Sequence, residues 1–324
     1  MTFPINAYVL AFAGGLLGTA AAVPVWRAWC RRTGLVDDPG HRKLHREPVP
    51  LAGGLAVLTG MLLPLLAAVV MVQAQWLDPA SLERLAYGLG RRGLQLAVLL
   101  AGAVGAVALG WCDDRHELSA RWKLAGQAGL AALVAASGAR ITLFVPSPVF
   151  SYAVTILWLV TLMNACNFMD NMNGLCGGIG AIGALWFGLK AAAAGQYLVA
   201  SISFLGGGAL LGFLPYNFPR ASVFLGDAGS HLVGYLLGVL AILPHFYSAG
   251  HPDRWAVLKP LLILAVPLGD LLNVVIYRWR RGLPVYVGDN NHWSHRLVRR
   301  GLSRERAVLV LWLGGVLAGA LAWW

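Results

Sequence analysis

The chain has 324 residues, 58% of them hydrophobic and only 12% charged, against about a quarter charged in an ordinary soluble domain. Apolar runs near 20 residues recur from end to end, the length that crosses about 30 Å of hydrocarbon, so a water-soluble core is excluded. The net charge of +11 is read as the Lys and Arg bias of cytosolic loops rather than as a nucleic-acid footprint, and no nucleic-acid partner is assigned.

In chain order, ten membrane spans are predicted near 5–27, 50–73, 94–111, 123–138, 150–165, 176–194, 197–215, 229–247, 256–278 and 307–324. The fold class is therefore all-α, a single polytopic membrane domain. Residues 5–29 read as a first span rather than a cleaved leader, because no basic region precedes them. If odd spans run inward, both termini lie outside the cytosol. Eighteen of the 25 basic residues then fall on the inner side, which sets the orientation. Ten of the 14 acidic residues fall there too, although acidic residues contribute little to orientation. Cys30, Cys112, Cys166 and Cys176 contain no CxxC pair and are expected to be reduced, structural thiols. Gly102/Gly105 and Gly206-Gly207-Gly208 are read as close-packing positions between helices.

The polar segments gather at the predicted inner helix ends. Asp113-Asp114-Arg115 closes the third span. On a helix the two carboxylates diverge by about 100°, so they should meet different partners. One suits a base or metal ligand, and the other suits a cationic side chain. Asn164, Asn167, Asp170 and Asn173 recur every three residues at the end of span five. They are expected to form one oxygen-rich stripe for Mg²⁺, ribose or a base edge. Gly226-Asp227-Ala228-Gly229-Ser230 opens span eight. A carboxylate at a helix start with small neighbours suits Mg²⁺ and a phosphate together, and it equally suits simple N-capping. Two basic loops, Arg42-Lys43-Leu44-His45 and Asp289-Asn-Asn-His292-Trp-Ser-His295-Arg296, offer phosphate donors. Zinc at His292 and His295 lacks a third and fourth ligand. Asp270, inside span nine, should face the bundle and be paired or neutral.

A membrane transporter of an anion remains the alternative from a different class, but it would place its polar groups near mid-bilayer. Here only Asp270 lies deep.

In this order, the segments resemble the polyprenyl-phosphate N-acetylhexosamine 1-phosphate transferases (glycosyltransferase family 4), from about residue 33 to 306. Arg42-Lys43-x-His45 with Pro50-Leu-Ala-Gly-Gly, Asp113-Asp114-Arg115-x-x-Leu-Ser and Gly226-Asp227-Ala-Gly-Ser look closest to the undecaprenyl-phosphate N-acetylglucosamine branch. The muramoyl-pentapeptide transferases are the alternative branch. The resemblance implies that a lipid phosphate oxygen attacks the β-phosphorus of a UDP-N-acetylhexosamine and UMP leaves. It implies Mg²⁺, with Mn²⁺ as a substitute, on Asn167 and Asp227. Asp113 and Asp114 would activate or position the polyprenyl phosphate, Asp113 as base or as covalent nucleophile. Asp170 would shape the nucleotide site. Lys123 would contact phosphate, Arg42, Asn164 and Asn173 would bind substrate, and Lys43, His45, His292 and His295 would hold the diphosphate. The setting would be a bacterial plasma membrane with the site on the cytosolic face, and a homodimer is left open. The family often has Asp at Asn173 and a third histidine at Ser294. Asn173 keeps acceptor capacity but loses a charge, which points to sugar or nucleotide recognition.

Overall fold

The structure is a computed structural model. It describes residues 3–39, 47–76, 79–244, 246, 255–284 and 291–324, without the side chains of 79–89 and 91. The order is α1 (Ile5–Thr33), β1 (Val36–Asp37), β2 (Val49–Pro50), α2 (Gly53–Gln73), α3 (Pro79–His116), α4 (Ala120–Ala136), α5 (Pro148–Met169), α6 (Leu175–Ala193), α7 (Tyr197–Asn217), α8 (Gly226–Leu240), α9 (Leu258–Ile263), α10 (Ala265–Arg280), α11 (Trp293–Arg299) and α12 (Arg304–Leu321). Six stretches are long and apolar enough to cross a membrane: α1, α2, α5, α6, α7 and Arg92–His116 within α3. The protein is a helical polytopic membrane protein.

Local chemistry sets the helix ends. Ser147 and Ser303 accept the amides of Phe150 and Arg306 and so start α5 and α12, with Pro148 in the first turn of α5. Gly34, at φ 71°, ends α1. Several boundaries differ from the sequence reading. Helix α3 begins at Pro79, well before 94, because proline suits a first turn and Ala-Ser-Leu-Glu-Arg-Leu-Ala favours helix. Span nine is two helices broken at Leu264. Pro267 has no N–H for the Ile263 carbonyl, so a continuous helix loses that bond. The one departure from an all-α fold among the described residues is the two-residue antiparallel ladder, Val36 opposite Pro50 and Asp37 opposite Val49.

Helix α8 sits at the centre, packed against α2, α3, α5 and α6, with every residue from Ala228 to Leu240 buried. At 15 residues it is shorter than the six stretches of membrane length. The outer helices face the other way: Leu10 on α1, Leu63 on α2 and Leu313 on α12 are exposed, as lipid-facing positions are. Close packing at small residues is seen where expected. A Cβ at Gly208 would lie 2.1 Å from the Phe12 carbonyl oxygen, and one at Gly102 would lie 2.1 Å from the Tyr235 hydroxyl. All four cysteines are free.

The two ends of the bundle differ in character. At one end Phe3 packs on Tyr197 and Lys190 stands over the Trp323 ring. At the other end Asp37, Leu51 and the 116–120, 170–174 and 217–226 junctions converge with the start of α12. The ladder is tied to the start of α8, since the Phe224 amide donates to the Pro50 carbonyl and the Gly53 amide to the Phe224 carbonyl.

Candidate active site

At that converging end lies a cleft of about 990 Å³ lined by Asp37, Asp113, Asp114, Glu117, Lys123, Asp170, Asn173, Arg220, Phe224, Asp227, Arg304 and Glu305, among others. The described lining carries seven acidic and three basic side chains, a surplus of negative charge.

The floor is built from four helices. Asp113, at the end of α3, is 7% exposed and pairs with Lys123 from the first turn of α4. The Lys123 Nζ also reaches Asp227 Oδ2 at 3.1 Å. Asn167, on the last turn of α5, donates to Asp227 Oδ1 at 2.7 Å and to Ser230 Oγ at 3.0 Å. Asp113, Lys123, Asn167 and Asp227 thus form one contiguous cluster.

The neighbouring carboxylates of α3 diverge, as helical spacing requires. Asp113 Oδ1 also accepts the Leu118 amide at 2.9 Å. Asp114 turns to α8 and accepts the amides of Asp227 and Ala228 at 2.8 and 3.1 Å. The start of α8 is therefore capped by a residue from another helix, and Asp227 does not cap it. Gly226 is at φ 72°, where a Cβ would lie 2.8 Å from Asp114 Oδ2, and a Cβ at Gly110 would lie 2.2 Å from the Asp227 carbonyl oxygen. Glycine at both positions lets α3 and α8 approach closely enough for this cap.

The stripe read from every third residue is split. Helix α5 ends at Met169, so only Asn164 and Asn167 are helical; Asp170 is the residue after the helix, and Asn173 lies in the following turn. The Gly174 amide donates to Asn217 Oδ1 at 2.6 Å and fixes that turn. Asp170 lines the cleft, its carboxyl without a hydrogen bond or ion pair among the described residues. Burial first, then the charges of Asp227 and Asp114, push its carboxyl up to about 8. Asn173 also lines the cleft and donates to the Pro219 carbonyl at 3.2 Å. Asn164 points one turn deeper and donates to Gln127 Oε1 at 2.7 Å.

His292 and His295 are not among the residues lining the cleft. His292 is buried, with Nδ1 2.7 Å from Asp270 Oδ2, while Asp270 Oδ1 accepts the Trp293 amide at 2.7 Å. The deep carboxylate expected to be paired thus meets His292 and the first amide of α11. The Ser294 hydroxyl donates to Asn171 Oδ1 at 2.6 Å and ties α11 to the cleft wall. Arg42, Lys43 and His45 lie outside the described residues.

Among the described residues no three His, Cys, Asp or Glu side chains gather as a metal site. The cleft does fit a hard cation that takes one or two carboxylates and completes its shell with substrate phosphates and water. Asp227 and Asn167 lie side by side, the carboxylate accepting the Asn167 amide N–H while the same amide carries an oxygen of its own, and the nearby Asp170 carboxyl, raised by burial and by its acidic neighbours, reports how little positive charge the cleft supplies. Sequence reasoning missed Gln127, Ser230 and His231. The signal for Gln127 and His231 was a polar side chain inside a predicted span, four residues beyond Lys123 and Asp227.

A helical membrane protein with an acid- and amide-floored cleft at one end of its bundle is the class these features define. Residues 96–245 match glycosyl transferase family 4. The chain is 31% identical over 315 residues to a probable undecaprenyl-phosphate N-acetylglucosaminyl 1-phosphate transferase of Bacillus subtilis, covering 95% of this chain and 82% of that protein. It is 36% identical to a decaprenyl-phosphate N-acetylglucosaminephosphotransferase of Mycolicibacterium smegmatis, covering 94% and 80%. With the enzyme of the same name from Mycobacterium tuberculosis H37Rv the identity is 35%, over 94% and 81%. The chain belongs to glycosyl transferase family 4.

Proposed function

We propose that this protein transfers N-acetylglucosamine 1-phosphate from UDP-N-acetylglucosamine to a polyprenyl phosphate and releases UMP. The observation that carries this reading is the cluster of Asp113, Lys123, Asn167 and Asp227 on the floor of the cleft. It agrees with the names of the three relatives given above, each of which specifies undecaprenyl phosphate or decaprenyl phosphate.

In the reaction an oxygen of the acceptor phosphate bonds to the β-phosphorus of the donor, and the bond from that phosphorus to the bridging oxygen of UMP breaks. Such a transfer needs alignment and charge neutralisation more than covalent chemistry. Asp227 and Asn167 would hold Mg²⁺, which when bound neutralises diphosphate charge that this acidic cleft would otherwise repel. Lys123 supplies a fixed positive charge between Asp113 and Asp227. Asp113, buried against Lys123, faces the acceptor phosphate, and Asp114 holds the α8 start still. Arg42, Lys43 and His45 fall between β1 and β2 in the sequence, and the family resemblance assigns Lys43 and His45 to the donor diphosphate.

In this reading α4, α8, α9–α10 and α12 also traverse the bilayer, giving ten spans with both termini extracytoplasmic and the cleft at the cytosolic face of a bacterial plasma membrane. The excess of Lys and Arg on the cleft side supports that orientation.

The test is purified protein with undecaprenyl phosphate, Mg²⁺ and a panel of UDP-N-acetylglucosamine, UDP-N-acetylgalactosamine and UDP-N-acetylmuramoyl-pentapeptide. UMP release and the lipid product are followed together. A polyprenyl diphosphate N-acetylglucosamine product made only with Mg²⁺ or Mn²⁺ is expected. A folded protein that forms no lipid product from any donor would overturn the proposal.

A further inference from the structure

One helical turn beneath the cleft floor lies a second polar layer. Helix α4 supplies Lys123 above and Gln127 below, α5 supplies Asn167 above and Asn164 below, and α8 supplies Asp227 above and His231 below. In each helix the two members are three or four residues apart and so share a face. The lower members meet as the upper ones do. Asn164 Nδ2 donates to Gln127 Oε1 at 2.7 Å, Gln127 Nε2 faces His231 Nε2 at 2.9 Å, and His231 Nδ1 lies 2.7 Å from the Asp227 carbonyl oxygen. Gln127 and His231 are both 0% exposed.

The bonds run in one direction only. Asn164 Nδ2 also donates to the Val160 carbonyl at 2.8 Å, so it sits between two oxygens and Gln127 must turn its own oxygen toward it. Gln127 then presents its N–H to His231, whose Nε2 has to be the acceptor. The proton of the neutral imidazole is left on Nδ1, aimed at the Asp227 carbonyl. Buried polar groups in a membrane bundle are costly unless satisfied, and this set satisfies itself only when α4, α5 and α8 stand in one register. The same register brings Lys123 and Asn167 onto the Asp227 carboxylate. The Asp227 backbone is then fixed from both sides, by Asp114 at its amide and by His231 at its carbonyl.

We infer that Gln127, Asn164 and His231 form a positioning layer that sets the orientation of Asp227 for divalent-cation binding, with His231 the member that acts on Asp227 directly. This inference rests on the cation reading of the proposed function. Groups that orient a metal ligand from behind are worth about 10–100-fold in metal affinity when removed.

The experiment titrates Mn²⁺ into purified protein and reads the free-ion signal by electron paramagnetic resonance, with no substrate and no turnover. Asp227→Ala defines which binding belongs to the cleft. His231→Leu and Gln127→Leu are expected to weaken that binding by about 10–100-fold. His231→Asn, whose amide N–H takes the place of Nδ1–H, is expected to recover most of it, a rescue that general loosening of the core would not give. If either Leu variant, folded and monodisperse, binds Mn²⁺ as the parent does, the positioning role is overturned while the cation reading stands. If His231→Leu does not fold, Gln127→Leu and His231→Asn decide the question alone. If the parent itself shows no Asp227-dependent binding, the cation reading falls and this inference with it.

Discussion

Two helix starts near the cleft are each capped by a carboxylate borrowed from another helix, and they end differently. At α11, Asp270 accepts the Trp293 amide with one oxygen and meets His292 with the other. Both of its oxygens are hydrogen-bonded and the unit is closed. At α8, Asp114 is likewise used up on two amides, but Asp113 and Asp227 share the ammonium of Lys123, and the Asp170 carboxyl beside them has no hydrogen-bond or ion-pair partner among the described residues. A carboxylate with a full set of donors is a fastener. Carboxylates that share too few cations, and open onto a cleft, form a place for a missing positive charge.

Substitutions can break this contrast, and the largest effect belongs to the open side. Asp227→Ala should lower turnover by about 10³-fold, on the scale of removing a principal electrostatic group from a reacting centre, while melting temperature in detergent holds or rises; UMP release and a thermal melt measure the two. Asp114→Asn replaces one accepting oxygen by an N–H that opposes an α8 amide. It should cost about 1–3 kcal/mol of stability, the scale of an unsatisfied buried group, so melting temperature and turnover fall together. Asp270→Asn should lower the melting temperature by a similar amount and turnover by less than Asp114→Asn, because its partners close on themselves; equal losses of turnover would erase the distinction between the two caps.

The smallest effect sharpens the comparison through pH. The Asp170 carboxyl is raised from its ordinary 3.8 to about 8. Between those values the folded protein holds a proton that the unfolded chain has released, so the metal-free protein should lose stability as pH rises through that window. Asp170→Asn should flatten the slope, read as melting temperature against pH in a chelator. An unchanged slope would show that Asp170 is not the carboxyl that stays protonated in the folded protein.

Much of this molecule can be read along the chain. Apolar runs of membrane length place the helices, and the doublet Asp113-Asp114 declares that its two side chains diverge, since neighbours on a helix point about 100° apart. The three-residue rhythm from Asn164 to Asn173 was a less faithful guide. It assumes a continuous helix, and α5 stops at Met169, where the Asn217 side chain holds the Gly174 turn. That contact joins residues 43 positions apart, and no local pattern reports it.

What the sequence determined by itself was the membrane setting and the gathering of acids and amides at one set of helix ends, because hydrophobic length and local polarity act residue by residue. Which of two adjacent carboxylates caps a helix and which meets Lys123 was decided only in three dimensions, by how closely α3 approaches α8 at Gly110 and Gly226. The Gln127–His231 layer was decided there too. A lone glutamine and a lone histidine in apolar segments gain meaning only when packing brings them within 2.9 Å of each other, since a hydrogen bond depends on the distance between atoms and not on their spacing along the chain.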